Sequence, residues 1–376
     1  MKDIEYYIFI KTGSVFEPPK LKGISHFLEH IVFNYSLEKS GLNNFLEENN
    51  IDIDIETQEY STIVTTWSLD KILLKKLRKK LKYLILNPEI SIESLEQEKK
   101  IIREEIAYRK TLPDILAQES FFSFVLQNTA LETAIIGKKQ FLKEVTLAML
   151  KKWHEKFYRE NNLVEIIFDR KSRRIRVFPH KLSSRISPII SPRQRKKPHR
   201  ASIKKIINRG LSSHVVCVGW LSKNPSKKER AILDVFRRIF GSMNQSFISS
   251  ILIQKEHLIY KGEAFLEHYK GLSLLGLQFF TTQPNNCLKK LEQYKAKLLN
   301  DKINKDIFFT AQKLEIEYFQ EPQVFMSYII GKEFMSTGDF LLPRERIKIL
   351  RNISYDDFYQ CVKKLFSKDQ FLTIVK

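Results

Sequence analysis

The sequence has 376 residues, of which 43% are hydrophobic and 28% are charged, a composition typical of a globular protein with two or three domains. Its apolar runs are too short to span a membrane, and its N-terminus does not have the layout of a signal or transit peptide. We therefore expect a cytoplasmic protein that does not bind membranes. The three cysteines, Cys217, Cys287 and Cys361, are odd in number and far apart, which argues against a disulfide framework and against a thiolate metal site.

The formal net charge of +21 is the most unusual property of the composition. Such a charge attracts nucleic acid, anionic membranes or an acidic partner. The basic residues are spread over lysine-rich stretches, with one dense patch from Arg193 to Arg200, and they do not alternate with aromatic residues as a base-stacking surface requires. We therefore predict no nucleic-acid partner. The charge is interpreted either as a solvated surface or as a match for an acidic partner chain or substrate.

Alternating and helical patterns of hydrophobic residues predict an α+β arrangement in the first half of the chain. The stretch at 51–57 alternates strictly and is followed by a β-branched stretch at 61–67, so the two predict a hairpin that turns near Gln58 and Glu59. The predicted elements, in order, are a strand at 4–12, helices at 24–36 and 40–48, the hairpin, helices at 69–86, 92–110, 115–127 and 146–159, and a strand at 163–168.

The helix predicted at 24–36 contains the pattern H-x-x-E-H at His26, Glu29 and His30. Residues three and four apart lie on one helical face, so both imidazoles and the carboxylate point the same way. Two imidazoles and a neighbouring carboxylate are the groups that a catalytic zinc ion and its general base require. Single histidines on apolar helices are more often core residues, but a histidine pair that encloses a glutamate is rare by chance in a chain with 8 histidines.

The helix predicted at 92–110 places two further carboxylates on one face, because Glu98 and Glu105 are two helical turns apart. They share this face with apolar residues, Leu95 and either Ile101 or Ile102, where a carboxylate is unfavourable unless it is paired or bound to a metal. This makes Glu105 a candidate metal ligand and Glu98 a candidate supporting residue. In the alternative interpretation, both glutamates lie on a solvated face of a charge-rich helix.

A stretch rich in Ser, Pro and Arg and without periodicity, 181–200, is predicted to be a linker between a domain at 1–180 and a domain at 201–376. The order of elements after the linker repeats the order before it, which predicts a duplicated domain whose second copy has no histidine pair and no glutamate pair. The predicted elements are a strand at 213–221, helices at 227–240 and 242–256, strands at 258–265 and 271–281, two helices across 284–320, a helix from Ser354 and a strand at 371–375.

Several of these segments resemble the pitrilysin family of zinc peptidases, the inverzincins. The resemblance rests on Gly13, Ser14 and Glu17, on GISHFLEHIVF at 23–33, on EKKIIREEI at 98–106, on TAIIGKKQFLKEVT at 133–146 and on FYRENNLVEIIF at 157–168. In the second half, GSMNQSFISSILIQKEHLIY at 241–260 is similar to the family's segment before its central hairpin. The resemblance therefore covers most of the chain and is stronger in the first half.

This resemblance implies a role for each residue of the predicted site. His26, His30 and Glu105 match the three zinc ligands of the family. Glu29 matches the general base that activates the attacking water, and Glu98 matches the second glutamate that supports the site. The implied fold is two similar α/β sandwich domains, each a mostly antiparallel sheet backed by helices, as in metallopeptidases of the LuxS and mitochondrial processing peptidase type. The implied substrate is a peptide that binds as an added strand at a sheet edge.

The chain length matches the branch of the family whose short subunits work as dimers. In that family the C-terminal half supplies an Arg/Tyr pair that grips the substrate, but this chain has no arginine between Arg238 and Arg344. Tyr260 and Tyr269 are the candidates for substrate binding in this half. We therefore expect the zinc-bearing subunit of a heterodimer, whose homologous partner supplies the Arg/Tyr pair, with a homodimer as the alternative.

These observations leave three functional hypotheses. The first is a zinc endopeptidase subunit that cleaves unfolded, precursor or leader peptides. The second is a non-catalytic scaffold subunit with the same fold, and the complete H-x-x-E-H motif together with Glu105 argues against it. The third is a polyanion-binding protein on an unrelated α+β fold, which only the net charge supports.

Overall fold

A computed structural model describes residues 3–178, 203–207, 209–210, 212–300, 305–320, 326–339 and 341–376. The linker predicted at 181–200 and the basic patch from Arg193 to Arg200 lie outside the described residues. None of the helices in the described part of the chain combines the length and the apolar character that crossing a bilayer requires.

The first half of the chain contains the predicted hairpin and the long predicted helices, together with two short elements, α7 and β5, that the patterns do not predict. A π-helical segment, Ile31–Tyr35, joins α1 to α2, so the helix predicted at 24–36 continues to Lys39. The elements are β1 (Ile4–Ile10), α1 (Ile24–His30), α2 (Ser36–Lys39), α3 (Leu42–Glu48), β2 (Ile53–Thr57), β3 (Thr62–Leu69), α4 (Lys71–Leu86), α5 (Ile92–Arg109), α6 (Pro113–Val125), α7 (Lys139–Glu144), α8 (Leu147–Phe157), β4 (Leu163–Asp169) and β5 (Arg174–Phe178).

The second half follows the predicted order and adds three elements, the strand β6 and the helices α12 and α13. Residues on most sides of α12 are buried, so this helix lacks the apolar and polar faces from which a helix is predicted. The elements are β6 (Ile203–Ile207), β7 (His214–Lys223), α9 (Lys227–Arg237) with π-helical segments at Arg238–Ser242 and Phe247–Lys255, β8 (Lys261–Tyr269), β9 (Leu272–Thr281), α10 (Pro284–Asn300), α11 (Lys305–Gln320), α12 (Met326–Thr337), α13 (Pro343–Arg351), α14 (Tyr355–Phe366) and β10 (Gln370–Val375).

β1 is the central strand of the first sheet, whose order is β2-β3-β1-β4-β5 with every neighbouring pair antiparallel. All 7 residues of β1 are buried. Tyr6 and Ile8 belong to the same core cluster as Phe27 of α1, whereas Phe9 packs against Gly331 of α12. Because both faces of this strand are covered, its sequence is hydrophobic at every position except Glu5 and does not alternate between apolar and polar residues.

The second sheet has the order β6-β10-β7-β9-β8. Its strands β8, β9, β7 and β10 are antiparallel neighbours in the same succession as β2, β3, β1 and β4 of the first sheet. This correspondence confirms the prediction of two similar α+β domains. The fifth strands differ, because β6 runs parallel to β10 whereas β5 runs antiparallel to β4.

The chain forms two compact units, one around each sheet, and each unit includes one helix from the other half of the sequence. α6 belongs to the unit of the second sheet, where it contacts β7 and β10. There the ring of Phe121 lies 5.9 Å from the ring of Phe265 on β8. α12 belongs to the unit of the first sheet, where it contacts β1 and β4.

The close approach of α12 to β1 leads to a stability prediction. A Cβ atom on Gly331 would lie 2.1 Å from the ring of Phe9, so Gly331→Ala forces this buried ring to move. We expect the substitution to lower the free energy of unfolding by about 1–3 kcal/mol, as overpacking does, although alanine is the better helix former. Urea denaturation measures the change. In a Phe9→Leu background the loss should be smaller, and an equal loss in both backgrounds would contradict the contact.

Candidate metal centre

α1 presents its polar residues on one side because its other side is buried in the core. Phe27 and Leu28 are 0% exposed and pack in the cluster that contains β1. His26 and His30, four residues apart, lie together on the remaining side of the helix. The helix begins after Gly23, whose φ of 108° is in the left-handed region that favours glycine.

α5 packs against α1 and the π-helical segment after it, and supplies the two predicted glutamates. Ile102 and Ile106 bury one side of α5 in the core. The side chain of Glu98 is 0% exposed, and the side chain of Glu105 is 31% exposed. Glu98 is therefore not on a solvated face of the helix, and Glu105 lies where the buried side of α5 meets its surface.

The structure brings the three candidate ligands together. Nε2 of His26 lies 3.5 Å from Oε2 of Glu105, and Nε2 of His30 lies 3.4 Å from the same oxygen. One ligand atom from each of the three residues lies within 4.8 Å of the others. Zinc binds such atoms at about 2.0–2.2 Å in a tetrahedron, which separates the ligand atoms by about 3.3–3.6 Å. The donor atoms and their spacing therefore fit a zinc ion with three protein ligands.

Glu98 holds the ring of His30 in the orientation that a metal ligand requires. Its Oε2 lies 3.0 Å from Nδ1 of His30, so a proton on Nδ1 leaves Nε2 free to face Glu105. The side-chain amide nitrogen of Asn34 lies 3.1 Å from the same Nδ1. A protonated Nδ1 cannot donate a hydrogen bond to an amide nitrogen. If the oxygen and nitrogen of the Asn34 amide are exchanged, the oxygen faces Nδ1 and accepts a hydrogen bond from it, as Glu98 does.

Burial and neighbouring charges determine the protonation of the two histidines. Burial and the positive charge of His30 together lower the pKa of His26 to about 4. Burial also lowers the pKa of His30, but hydrogen bonds to Glu105 and Glu98 outweigh this effect and raise the pKa to about 9. The site therefore already holds one positive charge between two carboxylates, and a metal cation that displaces the proton of Nε2 would satisfy the same carboxylates.

Glu29 lies on the same side of α1, beside the candidate ligands. Thr57, the last residue of β2, lies beside its carboxylate, where the hydroxyl and the backbone N–H of Thr57 favour the charged form. Burial raises the pKa of Glu29, and the polar groups of Thr57 and the charge of His30 oppose this shift. A carboxylate with a raised pKa beside a metal position has the chemistry of a general base.

Three residues that sequence reasoning missed also lie at the site. Asn34 follows His30 by one helical turn, and Arg109 follows Glu105 by one turn, so the spacing of four residues could have identified both. The charge of Arg109 lowers the pKa of Glu105 and of His26. Thr57 has no such signal, because it reaches Glu29 only through the packing of β2 against α1.

The two tyrosines that were candidates for substrate binding lie in the unit of the second sheet. Tyr260 is 70% exposed, and its ring lies 5.6 Å from the ring of Phe280. Tyr269, at the end of β8, is 2% exposed and belongs to the core. Tyr269 thus has almost no surface available to a substrate in this structure, whereas Tyr260 has a large one.

Two sequence families match the chain, one in each half. Residues 4–139 match the family described as "Insulinase (Peptidase family M16)". Residues 144–314 match the family described as "Peptidase M16 inactive domain". The first match includes every candidate ligand, and the second includes the second sheet except for β10.

Individual relatives are distant but cover long parts of the chain. An "Uncharacterized zinc protease" of Rickettsia felis is 24% identical over 379 residues, which span 96% of this chain and 89% of that protein. The "Mitochondrial-processing peptidase subunit beta" of Dictyostelium discoideum is 23% identical over 165 residues, 42% of this chain and 34% of that protein. A crystal structure of a protease from Helicobacter pylori has a TM-score of 0.85 at 15% identity and covers 99% of this chain and 94% of its own.

The spacing of the candidate ligands leads to a metal-binding prediction. We expect one zinc ion per chain, and we expect His26→Ala, His30→Ala and Glu105→Gln each to remove it, because two protein ligands hold zinc far less tightly than three. Metal analysis after dialysis measures the zinc content. Glu104→Gln, at the neighbouring exposed position of α5, is the matched control and should keep the zinc. Full zinc content in all three ligand variants would refute the assignment.

Proposed function

Because the chain belongs to peptidase family M16, we propose that it is a zinc-dependent endopeptidase subunit that hydrolyses peptide bonds in unfolded peptides or in precursor or leader peptides. The observation that carries this proposal is the convergence of His26, His30 and Glu105 beside Glu29. These are the ligands and the general base that metal-assisted hydrolysis requires, and they meet where α1 and α5 pack together.

In this proposal Nε2 of His26, Nε2 of His30 and the carboxylate of Glu105 would hold the zinc ion. Zinc, when bound, polarises carbonyl groups and makes water more acidic. Glu29 accepts a proton from the attacking water and donates it to the leaving amine. Its raised pKa suits this exchange, because a very acidic carboxyl group would not hold the proton between the two transfers.

The remaining polar residues of the site position these groups. Thr57 lies beside the carboxylate of Glu29 and favours its charged form, and Glu98 orients the ring of His30 through Nδ1. Polar partners of this kind keep the reacting groups at fixed angles and distances, which increases both metal affinity and rate. Glu98 and Thr57 are therefore assigned to positioning.

We infer that the substrate peptide pairs with β2. Among the strands in the described part of the chain, β2 lies at one edge of its sheet, with β3 as its one neighbour. The other edge can therefore accept an added strand through main-chain hydrogen bonds. Thr57 ends β2 and contacts Glu29, so a peptide that extends β2 in register would pass beside the general base.

We propose that a homologous partner chain completes the enzyme, with a heterodimer favoured over a homodimer. One relative of the chain is named as a beta subunit, which supports a multisubunit arrangement. The absence of arginine between Arg238 and Arg344 also supports a partner, because this half then lacks one member of the substrate-gripping Arg/Tyr pair. Tyr260, with its exposed ring, is the tyrosine that this chain could contribute.

A non-catalytic scaffold subunit is the second candidate function. It is favoured by the description "inactive domain" for the family that matches 144–314, a region without the H-x-x-E-H pattern. The complete set of His26, Glu29, His30 and Glu105 in the other half favours the peptidase. If the chain is a peptidase, removal of the Glu29 carboxylate abolishes peptide cleavage. If the chain is a scaffold subunit, it has no cleavage activity to lose.

Glu29→Gln separates these candidates. We expect the variant to bind zinc as the wild type does and to lose kcat by roughly 10²- to 10⁴-fold on unstructured peptides, because glutamine cannot transfer the proton. Peptide cleavage measured by mass spectrometry and zinc content measured on the same samples provide the two readouts. Glu38→Gln, an exposed residue further along the same run of helix, is the control and should retain full activity. Equal cleavage by Glu29→Gln and wild type would contradict the proposed base.

The partner proposal is tested by reconstitution. We expect the purified chain alone to cleave peptides slowly, and we expect addition of a homologous chain that carries an Arg/Tyr pair to increase kcat/KM. Replacing the arginine of that chain should abolish the increase. A purified chain whose cleavage rate is unchanged by any homologue would show that it does not need a partner.

A further inference from the structure

The segment between β1 and α1 is held tightly within its domain, although the proposed mechanism uses none of its residues. The N–H of Val15 donates a hydrogen bond of 3.0 Å to the carbonyl oxygen of Glu59, in the turn between β2 and β3. The ammonium group of Lys22 donates a bond of 2.7 Å to the carbonyl oxygen of Ser14, which closes the segment into a loop. A Cβ atom on Gly13 would lie 2.5 Å from the carbonyl oxygen of Glu59, so this close approach requires glycine.

Glu17 lies in this loop, and its buried carboxylate contacts the beginning of α1. The residue is 5% exposed. One carboxylate oxygen accepts a hydrogen bond of 2.8 Å from the N–H of Gly23, and the other accepts one of 2.8 Å from the N–H of Ser25. These N–H groups have no acceptor within the helix, because no preceding helical turn exists there.

Glu17 thus caps the N-terminus of α1 from outside the helix. The N-cap residue itself is Gly23, which has no side chain that could accept a hydrogen bond. A carboxylate at the N-terminus of a helix also interacts favourably with the helix dipole. Because the two hydrogen bonds go to two different N–H groups, they fix both the position of the first turn along the helix axis and its rotation about that axis. Ser25, whose N–H is held in this way, directly precedes His26.

We propose that Glu17 is a positioning residue for the metal centre, which holds the first turn of α1 so that the imidazoles of His26 and His30 stand at the distance from Glu105 that zinc requires. The inference rests on the proposed function. A helix turns by about 100° per residue, so a slight rotation of α1 moves Nε2 of His26 sideways. Metal sites tolerate displacements of only about 0.5 Å, which makes the rotation of this turn a condition for metal binding.

The test compares Glu17→Ala and Glu17→Gln with Asp70→Asn in the complete chain. Asp70 is a matched control, because its carboxylate also accepts two hydrogen bonds of 2.8 Å, from the N–H groups of Ile72 and Leu73 at the beginning of α4. Three quantities are measured: zinc affinity in competition with a chelator, the visible absorption of Co2+ bound in place of zinc, and the increase in Tm that zinc produces.

We expect both Glu17 variants to bind zinc roughly tenfold or more weakly than the wild type, to alter the Co2+ absorption and to lose part of the zinc-dependent increase in Tm. In peptide cleavage kcat should fall while KM stays the same, because neither variant changes β2. Asp70→Asn should lower Tm equally with and without zinc and keep the wild-type zinc affinity. A residue that only stabilised the fold would behave as Asp70 does.

Wild-type zinc affinity and wild-type Co2+ absorption in Glu17→Gln would overturn the inference, as would an equal loss of zinc affinity in Asp70→Asn. Glu17→Gln keeps the test decisive if Glu17→Ala does not fold, because glutamine has the same length and retains one acceptor oxygen. A wild-type chain that binds zinc but cleaves no peptide would contradict the proposed function alone, since zinc affinity would still report the role of Glu17. A wild-type chain that binds no zinc would overturn both.

Discussion

The hydrogen bond between His30 and Glu98 joins the two helices on which the candidate metal centre is built. Glu98 is 0% exposed, and a carboxylate at such a position is stable only beside a donor that carries a proton or a positive charge. His30 is that donor, and the bond directs its other ring nitrogen toward Glu105. Apolar contacts such as those of Phe27 and Ile102 keep the helices together, but they have little directionality. The polar contact therefore determines how the two helices face each other.

The second domain repeats the order of strands and helices but has a different polar centre. α9 and α11 hold the places in that order that α1 and α5 hold in the first domain. There the described residues pair Arg238 with Glu315 and place His268 beside Asp234, at partly buried positions, in place of two histidines and two glutamates. Pairing offsets part of the cost of removing a charged side chain from water, so the same framework can hold a candidate metal site in one copy and a polar cluster around Arg238 and Glu315 in the other.

The net charge of +21 describes the whole surface and says little about the site. The sequence has no lysine or arginine between Lys39 and Lys71, a stretch that includes β2. Asp52 and Asp54, on or beside this edge strand, are exposed. The stretch that contains this edge strand therefore contributes no positive charge of its own. Salt screens charges beyond about 10 Å at ordinary ionic strength, so the attraction of a peptide to β2 depends on the charges near that strand and not on the net charge of the chain.

Local patterns were sufficient to predict α1, α5 and the β2–β3 hairpin, and to nominate His26, His30 and Glu105, because helical spacing and alternation are properties of neighbouring residues. Three features could not be predicted, because each depends on packing between segments that are distant in the chain. They are the assignment of α6 and α12 to the unit of the other half of the sequence, the proximity of Thr57 to Glu29, and the contact of Glu17 with the beginning of α1. The sequence by itself determined which side chains are able to hold a metal ion. Only the tertiary structure decided that they meet, because their distances depend on how α5 packs against α1.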